Sequence, residues 1–362
     1  METSSPLILN KCAKTRSISL PFILLDLPDT LLEVVMIILV VMMKQNIKRI
    51  HGHSLEELSD LLFHSSDILE GGVSLDPISL GGWSNLNIHG HDSNIEFVLK
   101  LPWSTENNKT NPYAHLFKIG QFISKSGISP VPLDLGHLND SKETPFILFE
   151  FVDGNVYNSL VDLSSVQVQS LKRSLRILTQ LNPPNIPLYN SPSEYLIKIQ
   201  KSVENHEWLP RGSEEVTRME QSFSSLYSDL LSTTDSYGEW SKLTMHGDLW
   251  VPNIVFRKQR AVLLDLEECA IGDPLYDIAY LLEASYKQEM EHNQHLVNPK
   301  IRDAVNLLRP LALSYVVVWS IERLLSMESG IVEPSINTPF IRNEILSYAK
   351  MKLARLHSFL IN

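Results

Sequence analysis

Four side chains that can accept a proton or bind a divalent cation follow one another in a short stretch of this 362-residue sequence. The segment M-H-G-D-L-W-V-P-N, from Met245 to Asn253, supplies Asp248 and Asn253. The segment L-L-D-L-E follows it and places Asp265 and Glu267 two residues apart, hence on the same side of a strand. Mg²⁺ prefers oxygen ligands such as these, and a carboxylate can also take the proton of a hydroxyl group.

The order of these groups indicates phosphoryl transfer. In that reaction a carboxylate accepts the proton of the attacking hydroxyl, while an amide oxygen and a second carboxylate hold the magnesium. The first segment fits the pattern H-x-D-L-x-x-x-N of phosphotransferase catalytic loops. Taken singly, Asp248 could be a turn residue, Asn253 a hairpin residue and Asp265 a strand end. Their order together favours Asp248 as base and Asn253, Asp265 and Glu267 as the metal ligands.

The elements that must position these residues are a small sheet and a set of helices. The segment N-I-E-F-V-L-K-L-P is rich in β-formers and carries Lys100, and residues 144–152 are typical of a buried strand. A hairpin with its turn near 258–260 delivers Asp265. Apolar spacing predicts helices over residues 54–64, 113–124, 164–181, 193–205, 213–232, 275–292, 302–326 and 338–360. Pro310 is expected to kink or break the helix over 302–326.

The two segments H-G-D-L-W-V-P-N and L-L-D-L-E-E-C-A-I-G-D-P-L-Y-D-I-A closely resemble the aminoglycoside phosphotransferase and choline kinase-like family. The resemblance extends from about Ile78 to Tyr280. It implies an α+β, protein-kinase-like fold of two lobes, with a small β-rich nucleotide-binding lobe over 44–152 and a mainly helical lobe over 153–362. It also implies the same roles for the base and for the magnesium ligands. Asp273 and Asp277, which open the next helix, are expected to be structural.

The resemblance further implies a site for ATP or another nucleoside triphosphate. The segment G-G-W-S-N resembles the turn that covers the phosphates, with Gly82 and Ser84 as contacts. Lys100 matches the lysine that contacts the phosphates. The segment F-E-F-V-D-G resembles the hinge between the lobes, where backbone groups of Glu150 and Val152 would bond the adenine edge.

One expected carboxylate is missing. In kinase-like folds a glutamate on a helix pairs with the strand lysine, yet no Asp or Glu occurs between Asn107 and Val131. This departure leaves a second hypothesis open beside an active small-molecule kinase, namely a nucleotide-binding pseudokinase or regulatory protein. The intact Asp248, Asn253 and Asp265 favour the active enzyme, whose acceptor would be a hydroxyl of a sugar, an amino-alcohol or an aminoglycoside.

The first 43 residues form an atypical apolar extension. Val34 to Met43 are all apolar, but ten residues are too few to cross a bilayer, which needs roughly 20. A membrane anchor is the less favoured alternative, and it would act through residues 31–43 alone. A start at Met42 or Met43 is the alternative, and we treat residues 1–43 as lying outside the fold.

Composition limits the function classes further. The chain has 31 Lys and Arg against 42 Asp and Glu, a formal net charge of −11. An acidic balance argues against a nucleic-acid-binding surface, which needs basic residues to replace counterions. Two distant cysteines form neither a disulfide framework nor a zinc motif, which favours a cytoplasmic protein. The expected partner, as the family resemblance implies, is a small molecule carrying a hydroxyl group.

Overall fold

The computed structural model describes residues 49–81, 85–104, 110–204, 212–284, 297–334 and 336–361. All of them belong to one of the two units into which the chain divides, Asn46–Asn362. The apolar extension over 1–43, with the alternative of a membrane anchor at 31–43 and the alternative start at Met42 or Met43, lies outside the described residues. Gly82 and Ser84 of the expected phosphate turn also lie outside them.

An antiparallel five-stranded sheet occupies the first half of the described chain. Its strands are β1 (Ser74–Gly81), β2 (Asn85–His91), β3 (Glu96–Pro102), β4 (Pro132–His137) and β5 (Pro145–Glu150). They lie in the order β1-β2-β3-β5-β4. The register pairs Lys100 of β3 with Asn87 of β2 on one side and Ile147 of β5 on the other. Lys100 therefore lies on the central strand, where its neighbours fix its direction.

Two helices accompany this sheet, α1 (Leu55–Ser65) and α2 (Ala114–Ile123). The hydroxyl of Ser54 accepts from the amide of Glu57, and the Glu57 carboxylate accepts from the amide of Ser54, so α1 begins at a capping box. In α2, Leu116, Ile119 and Ile123 are buried. Both helices were predicted from apolar spacing, and both predictions are confirmed.

Helices dominate the rest of the described chain. They are α3 (Ser165–Gln180), α4 (Pro192–Glu204), α5 (Glu214–Asp235), α6 (Leu275–Glu283), α7 (Arg302–Glu328) and α8 (Pro339–Ile361). Helix α7 packs against α4, α5, α6 and α8, so it forms the centre of this half. The predicted helix over 275–292 is described only as far as Glu283. Together, the five-stranded sheet and these helices confirm the predicted α+β class.

Pro310 was expected to kink or break helix α7. The helix continues through Pro310, so a break is wrong, and a kink stays a prediction. Four helices surround α7, and their packing outweighs the one backbone hydrogen bond that proline removes. Within the described residues, one helical stretch, Pro299–Glu328, has the length and hydropathy of a membrane span. However, 72% of its most apolar window is buried inside the protein, as in a core helix.

Short strands flank the two segments that carry Asp248 and Asp265. Strands β8 (Ile254–Arg257) and β9 (Arg260–Leu263) form the predicted hairpin, and β6 (Asn155–Val156) pairs with β8. Strand β7 (Leu243–Met245) pairs with β10 (Ala270–Gly272). Because β7 leads directly into His246 and β9 leads directly to Asp265, these two ladders place the catalytic segments side by side.

Candidate active site

The loop after β7 approaches the backbone of the next catalytic segment very closely. Gly247 has φ +85°, and a Cβ there would lie 2.2 Å from the carbonyl oxygen of Glu268. The buried carboxylate of Asp277 accepts hydrogen bonds from the amides of His246 (2.7 Å) and Gly247 (2.9 Å). Asp277, expected to be structural, therefore fixes the loop that presents Asp248.

The buried imidazole of His246 joins this loop to the segment that carries Asp265. Its Nε2 donates to the carbonyl oxygen of Leu264 (2.7 Å), and its Nδ1 accepts from the amide of Asp248 (3.3 Å). One nitrogen donates while the other accepts, which requires the neutral ring. Burial lowers the pKa of His246, in agreement with a neutral imidazole. The spacing between Asp248 and Asp265 is thus set by one side chain.

Asp248 lies beside Asn253 in the same loop. The amide Nδ2 of Asn253 donates to the backbone carbonyl (3.1 Å) and to the Oδ2 (3.3 Å) of Asp248. Burial, and then the charge of Asp265, raise the pKa of Asp248 well above its ordinary value, while a hydrogen bond from Tyr280 opposes them. A carboxylate whose proton affinity is raised in this way suits the acceptance of a proton from a hydroxyl group.

Lys100 has two carboxylate partners, neither of them on a helix of the sheet half. Its Nζ lies 2.8 Å from Asp265 Oδ1 and 2.7 Å from Glu267 Oε1, and only 5% of its side chain is exposed. Burial lowers the pKa of Lys100, but the two carboxylates outweigh it and raise the pKa above the usual value. The carboxylate partner of Lys100, which a helix glutamate usually supplies, therefore comes from the segment after β9.

A polar chain from the sheet half supports Glu267. The hydroxyl of Tyr113 donates to Asn85 Oδ1 (2.7 Å), and Asn85 Nδ2 donates to Glu267 Oε1 (3.2 Å). The Lys100 ammonium lies 6.0 Å from the centroid of the Tyr113 ring. Sequence reasoning missed Tyr113 and Asn85, since neither residue type indicates a role until the fold brings it to Glu267.

The donor set for magnesium is small. The described residues contain no group of three or more His, Cys, Asp or Glu arranged to hold a metal ion. Magnesium in phosphoryl transfer is usually held by one or two carboxylates, with phosphate oxygens and water completing its shell. Asn253 and Asp265 fit that kind of site, because one supplies an amide oxygen and the other a carboxylate. Asp265 also has φ 57° and ψ 66°, a left-handed conformation rare for a residue with a side chain.

The predicted hinge follows β5. The amide of Glu150 donates to the carbonyl of Val131 (2.8 Å), so only the carbonyl of Glu150 can serve an adenine. Val152 lies just after the end of β5. The structure thus brings together Asp248, Asn253, Asp265, Glu267 and Lys100, and it places Glu150 and Val152 at the end of the sheet.

Comparison with known proteins gives the family. The model of the phosphotransferase enzyme family matches residues 75–297, more than half of the chain. The chain belongs to the phosphotransferase enzyme family. It is therefore an enzyme of the type predicted from the sequence, a phosphotransferase with an alcohol group as acceptor.

Relatives of this phosphotransferase agree with that family. A protein LicA homolog from Mycoplasma capricolum is 26% identical over 211 residues, which is 58% of this chain and 77% of the relative. A thermostable mutant of aminoglycoside phosphotransferase APH(4)-Ia, in a ternary complex with AMP-PNP and hygromycin B, has a TM-score of 0.57. It is 13% identical, and the match covers 84% of this chain and 97% of that one.

A choline/ethanolamine kinase family protein from Mesorhizobium loti is similar in structure as well. Its TM-score is 0.52 at 16% identity, with 80% of this phosphotransferase and 88% of that chain covered. At these identities the solved structures establish the fold alone. The predicted protein-kinase-like fold, with a β-sheet lobe and a helical portion, is confirmed.

Proposed function

We propose that this phosphotransferase is an ATP- and magnesium-dependent kinase that phosphorylates a hydroxyl group of a small molecule. The observation that carries the proposal is the meeting of Lys100, from the central strand, with Asp265, from the end of the hairpin, at 2.8 Å. His246 holds Asp248 to the same segment. A phosphate-binding cation, a metal-binding carboxylate and a base thus belong to one connected site.

Each residue has a defined part in the proposed reaction. Asp248 takes the proton of the acceptor hydroxyl while the oxygen of that hydroxyl forms a bond to the γ-phosphorus. The bond between that phosphorus and the bridging oxygen breaks, and ADP leaves. Lys100 binds the nucleotide phosphates, and Asn253 and Asp265 would hold magnesium. Bound magnesium supplies neutralisation of the phosphate charge.

Glu267 was expected to be a further metal ligand. Its carboxylate accepts from Lys100 and Asn85, and burial raises its pKa against the lowering effect of Lys100. We therefore propose that Glu267 holds Lys100 toward the phosphates, which leaves Asn253 and Asp265 as the protein ligands of the metal. The same pairing supports an active enzyme over a pseudokinase, because the lysine has a partner without the helix glutamate.

The nucleotide and the acceptor class come from the relatives. A structural neighbour binds AMP-PNP together with hygromycin B, which supports a nucleoside triphosphate donor here. Neighbours named as aminoglycoside phosphotransferases and as a choline/ethanolamine kinase family protein support an aminoglycoside, sugar or amino-alcohol acceptor. The nucleotide would lie against the hinge, with the carbonyl of Glu150 and the backbone of Val152 at the adenine edge and Gly82 and Ser84 at the phosphates.

The test is ADP formation with magnesium and a panel of hydroxyl compounds, comparing wild type with Asp248→Asn. Loss of a general base lowers the rate by about 10²- to 10⁴-fold. The matched control is Asp229→Asn, an exposed aspartate on α5, which should retain the wild-type rate. Binding of a fluorescent ATP analogue should persist in both variants. Equal ADP formation by wild type and Asp248→Asn would refute the kinase and leave the pseudokinase.

A further inference from the structure

A partly exposed stripe runs along α7, although most of this helix is buried. Tyr315, Trp319 and Arg323 are spaced by four residues and therefore share one face, and each is partly exposed while their neighbours on the helix are mostly buried. From Tyr315 to Arg323 the helix rises by about 12 Å, at about 1.5 Å per residue. The stripe has the length of a small organic molecule.

One end of this stripe lies beside the catalytic base. The ring of Tyr315 is 5.7 Å from that of Tyr280, centroid to centroid. Tyr280 in turn hydrogen-bonds Asp248. A molecule that lies along the stripe with one end at Tyr315 would therefore have that end next to the group that accepts the hydroxyl proton.

Arg323, at the other end, is a cation without a direct anionic partner among the residues that the structure describes. Its guanidinium carbon lies 4.7 Å from the ring centroid of Trp103 and 5.8 Å from that of Trp319. Its Nε is buried and has no hydrogen-bond partner. Aromatic rings hold the plane of the guanidinium but satisfy none of its five N–H donors. A guanidinium group with free N–H donors is suited to binding a carboxylate or a phosphate.

Arg323 also lies within electrostatic range of Glu267, in the segment after β9. Burial lowers its pKa to about 10, while the charges of Glu322 and Glu267 oppose that decrease. The guanidinium therefore stays charged at neutral pH. Glu267 acts on the pKa of Asp248 as well, so it lies within electrostatic reach of both ends of the stripe.

A second cation lies near Tyr315, and this one is already paired. The ammonium of Lys198 is 5.5 Å from the ring centroid of Tyr195, 5.2 Å from that of Tyr315, and 2.7 Å from Glu268 Oε2. The faces of these two rings are where an ammonium group of an acceptor could bind by cation–π attraction. Because Lys198 already occupies them, the protein itself supplies the cation at this end.

We propose that Arg323 binds an anionic group, carboxylate or phosphate, of the acceptor, whose hydroxyl lies at Asp248. The inference rests on the proposed function and sharpens it, since the acceptor becomes a hydroxy acid or a phosphorylated alcohol rather than a simple amino-alcohol. The stripe binds the body of the acceptor through Trp319 and Tyr315.

The kinetic test uses four six-carbon alcohols of matched length, gluconate, glucose 6-phosphate, glucose and glucosamine, in an ADP-release assay with magnesium and ATP, because a three-carbon acid is too short to reach both Asp248 and Arg323. We expect an anionic compound to be the best acceptor, and comparison of the two anions identifies the group. A hydrogen-bonded charge pair contributes about 1.5–3 kcal/mol, so Arg323→Gln should lower kcat/KM for that acceptor about 10- to 100-fold. Arg323→Lys should lose less, and the KM for ATP should not change in either variant.

A binding test works without turnover. Inorganic phosphate and malonate should each quench tryptophan fluorescence in the wild-type protein, because Arg323 lies against two indole rings. The quenching should disappear in Arg323→Gln and persist in the control variant Lys198→Gln, whose charge is already paired. Thermal unfolding of each variant verifies that it is folded.

The outcomes separate this inference from the proposed function. Anion binding that depends on Arg323, in a protein that forms no ADP with any acceptor, would refute the proposed kinase and keep the anion site. Turnover of glucose or glucosamine that exceeds that of both anions and is unaffected by Arg323→Gln would refute the anion site and keep the kinase. A changed KM for ATP with an unchanged acceptor KM would assign Arg323 to the nucleotide and also refute the inference.

Discussion

Replacing Glu267 by glutamine tests whether this carboxylate holds Lys100 or binds magnesium. In the structure Asp265 and Glu267 both contact the buried ammonium, at 2.8 and 2.7 Å. When Asp265 is engaged by a metal ion, Glu267 becomes the remaining charged partner of Lys100. The variant Glu267→Gln keeps the size of the side chain and removes its charge.

The size of the effect follows from the contact that is lost. A hydrogen bond to a charged group contributes about 1.5–3 kcal/mol. At about 1.4 kcal/mol per factor of ten, kcat/KM for the nucleotide should fall about 10- to 100-fold. Without magnesium the loss in nucleotide affinity should be smaller, because Asp265 still neutralises Lys100.

The assay is a double-mutant cycle on nucleotide kcat/KM with Lys100→Met, Glu267→Gln and the double variant. If Glu267 acts through Lys100, the two losses are strongly non-additive. The matched control is Glu268→Gln, the next residue, which forms an ion pair of the same 2.7 Å length with Lys198 and has a similar exposure, 32% against 35%. It should leave the KM for ATP unchanged. Additive losses, or full recovery of Glu267→Gln by excess magnesium, would show that Glu267 is a metal ligand.

Three further predictions concern the fold around the site. Gly247→Ala should abolish activity, because its Cβ would meet a carbonyl oxygen at 2.2 Å, whereas Gly238→Ala, at the same φ of +85° but in open space, should cost only about 1–2 kcal/mol of stability and keep activity. The thiol of Cys269, whose pKa burial raises to about 12, should resist iodoacetamide at pH 8 until the protein is unfolded, as measured by peptide mass spectrometry. Glu283→Ala breaks a buried pair with two arginines and should lower the free energy of unfolding in urea by about 3–5 kcal/mol, whereas Glu215→Ala, at an exposed pair, should change it little.

Local chemistry made much of the fold predictable. Seven of the predicted helices begin and end within three residues of the observed ones, because each carries its own apolar spacing and its own end signals. The hairpin and its turn were predicted for the same reason, and Lys258 in that turn has a positive φ of 55°. Asp248, Asn253, Asp265 and Glu267 could be proposed as a site from the sequence because they lie close together in it.

Features that depend on distant residues were not predictable. Strand β4 begins at Pro132 and contains a glycine and a histidine, and it becomes a strand only because β5 pairs with it. Helix α7 tolerates Pro310 because four other helices surround it. Asn85 reaches Glu267 across 182 residues of chain, and Tyr113 contacts Asn85 across 28, a proximity that no local pattern encodes.

The origin of the partners of Lys100 changes how the sheet and the helical half are coupled. A lysine held by a glutamate on a neighbouring helix of its own lobe can be oriented independently of the other lobe. Here both partners follow β9, so the ion pair itself joins the central strand to the catalytic segment. A second connection lies near the end of β3, where the carbonyl of Trp103 accepts from the amide of Glu333 (2.7 Å) and its ring stacks on Arg323. In the proposed reaction the nucleotide phosphates would share Lys100 with these two carboxylates, one of which, Asp265, is the proposed metal ligand. Substitutions at Glu267 should consequently alter nucleotide affinity and magnesium dependence together with the contact between the two halves.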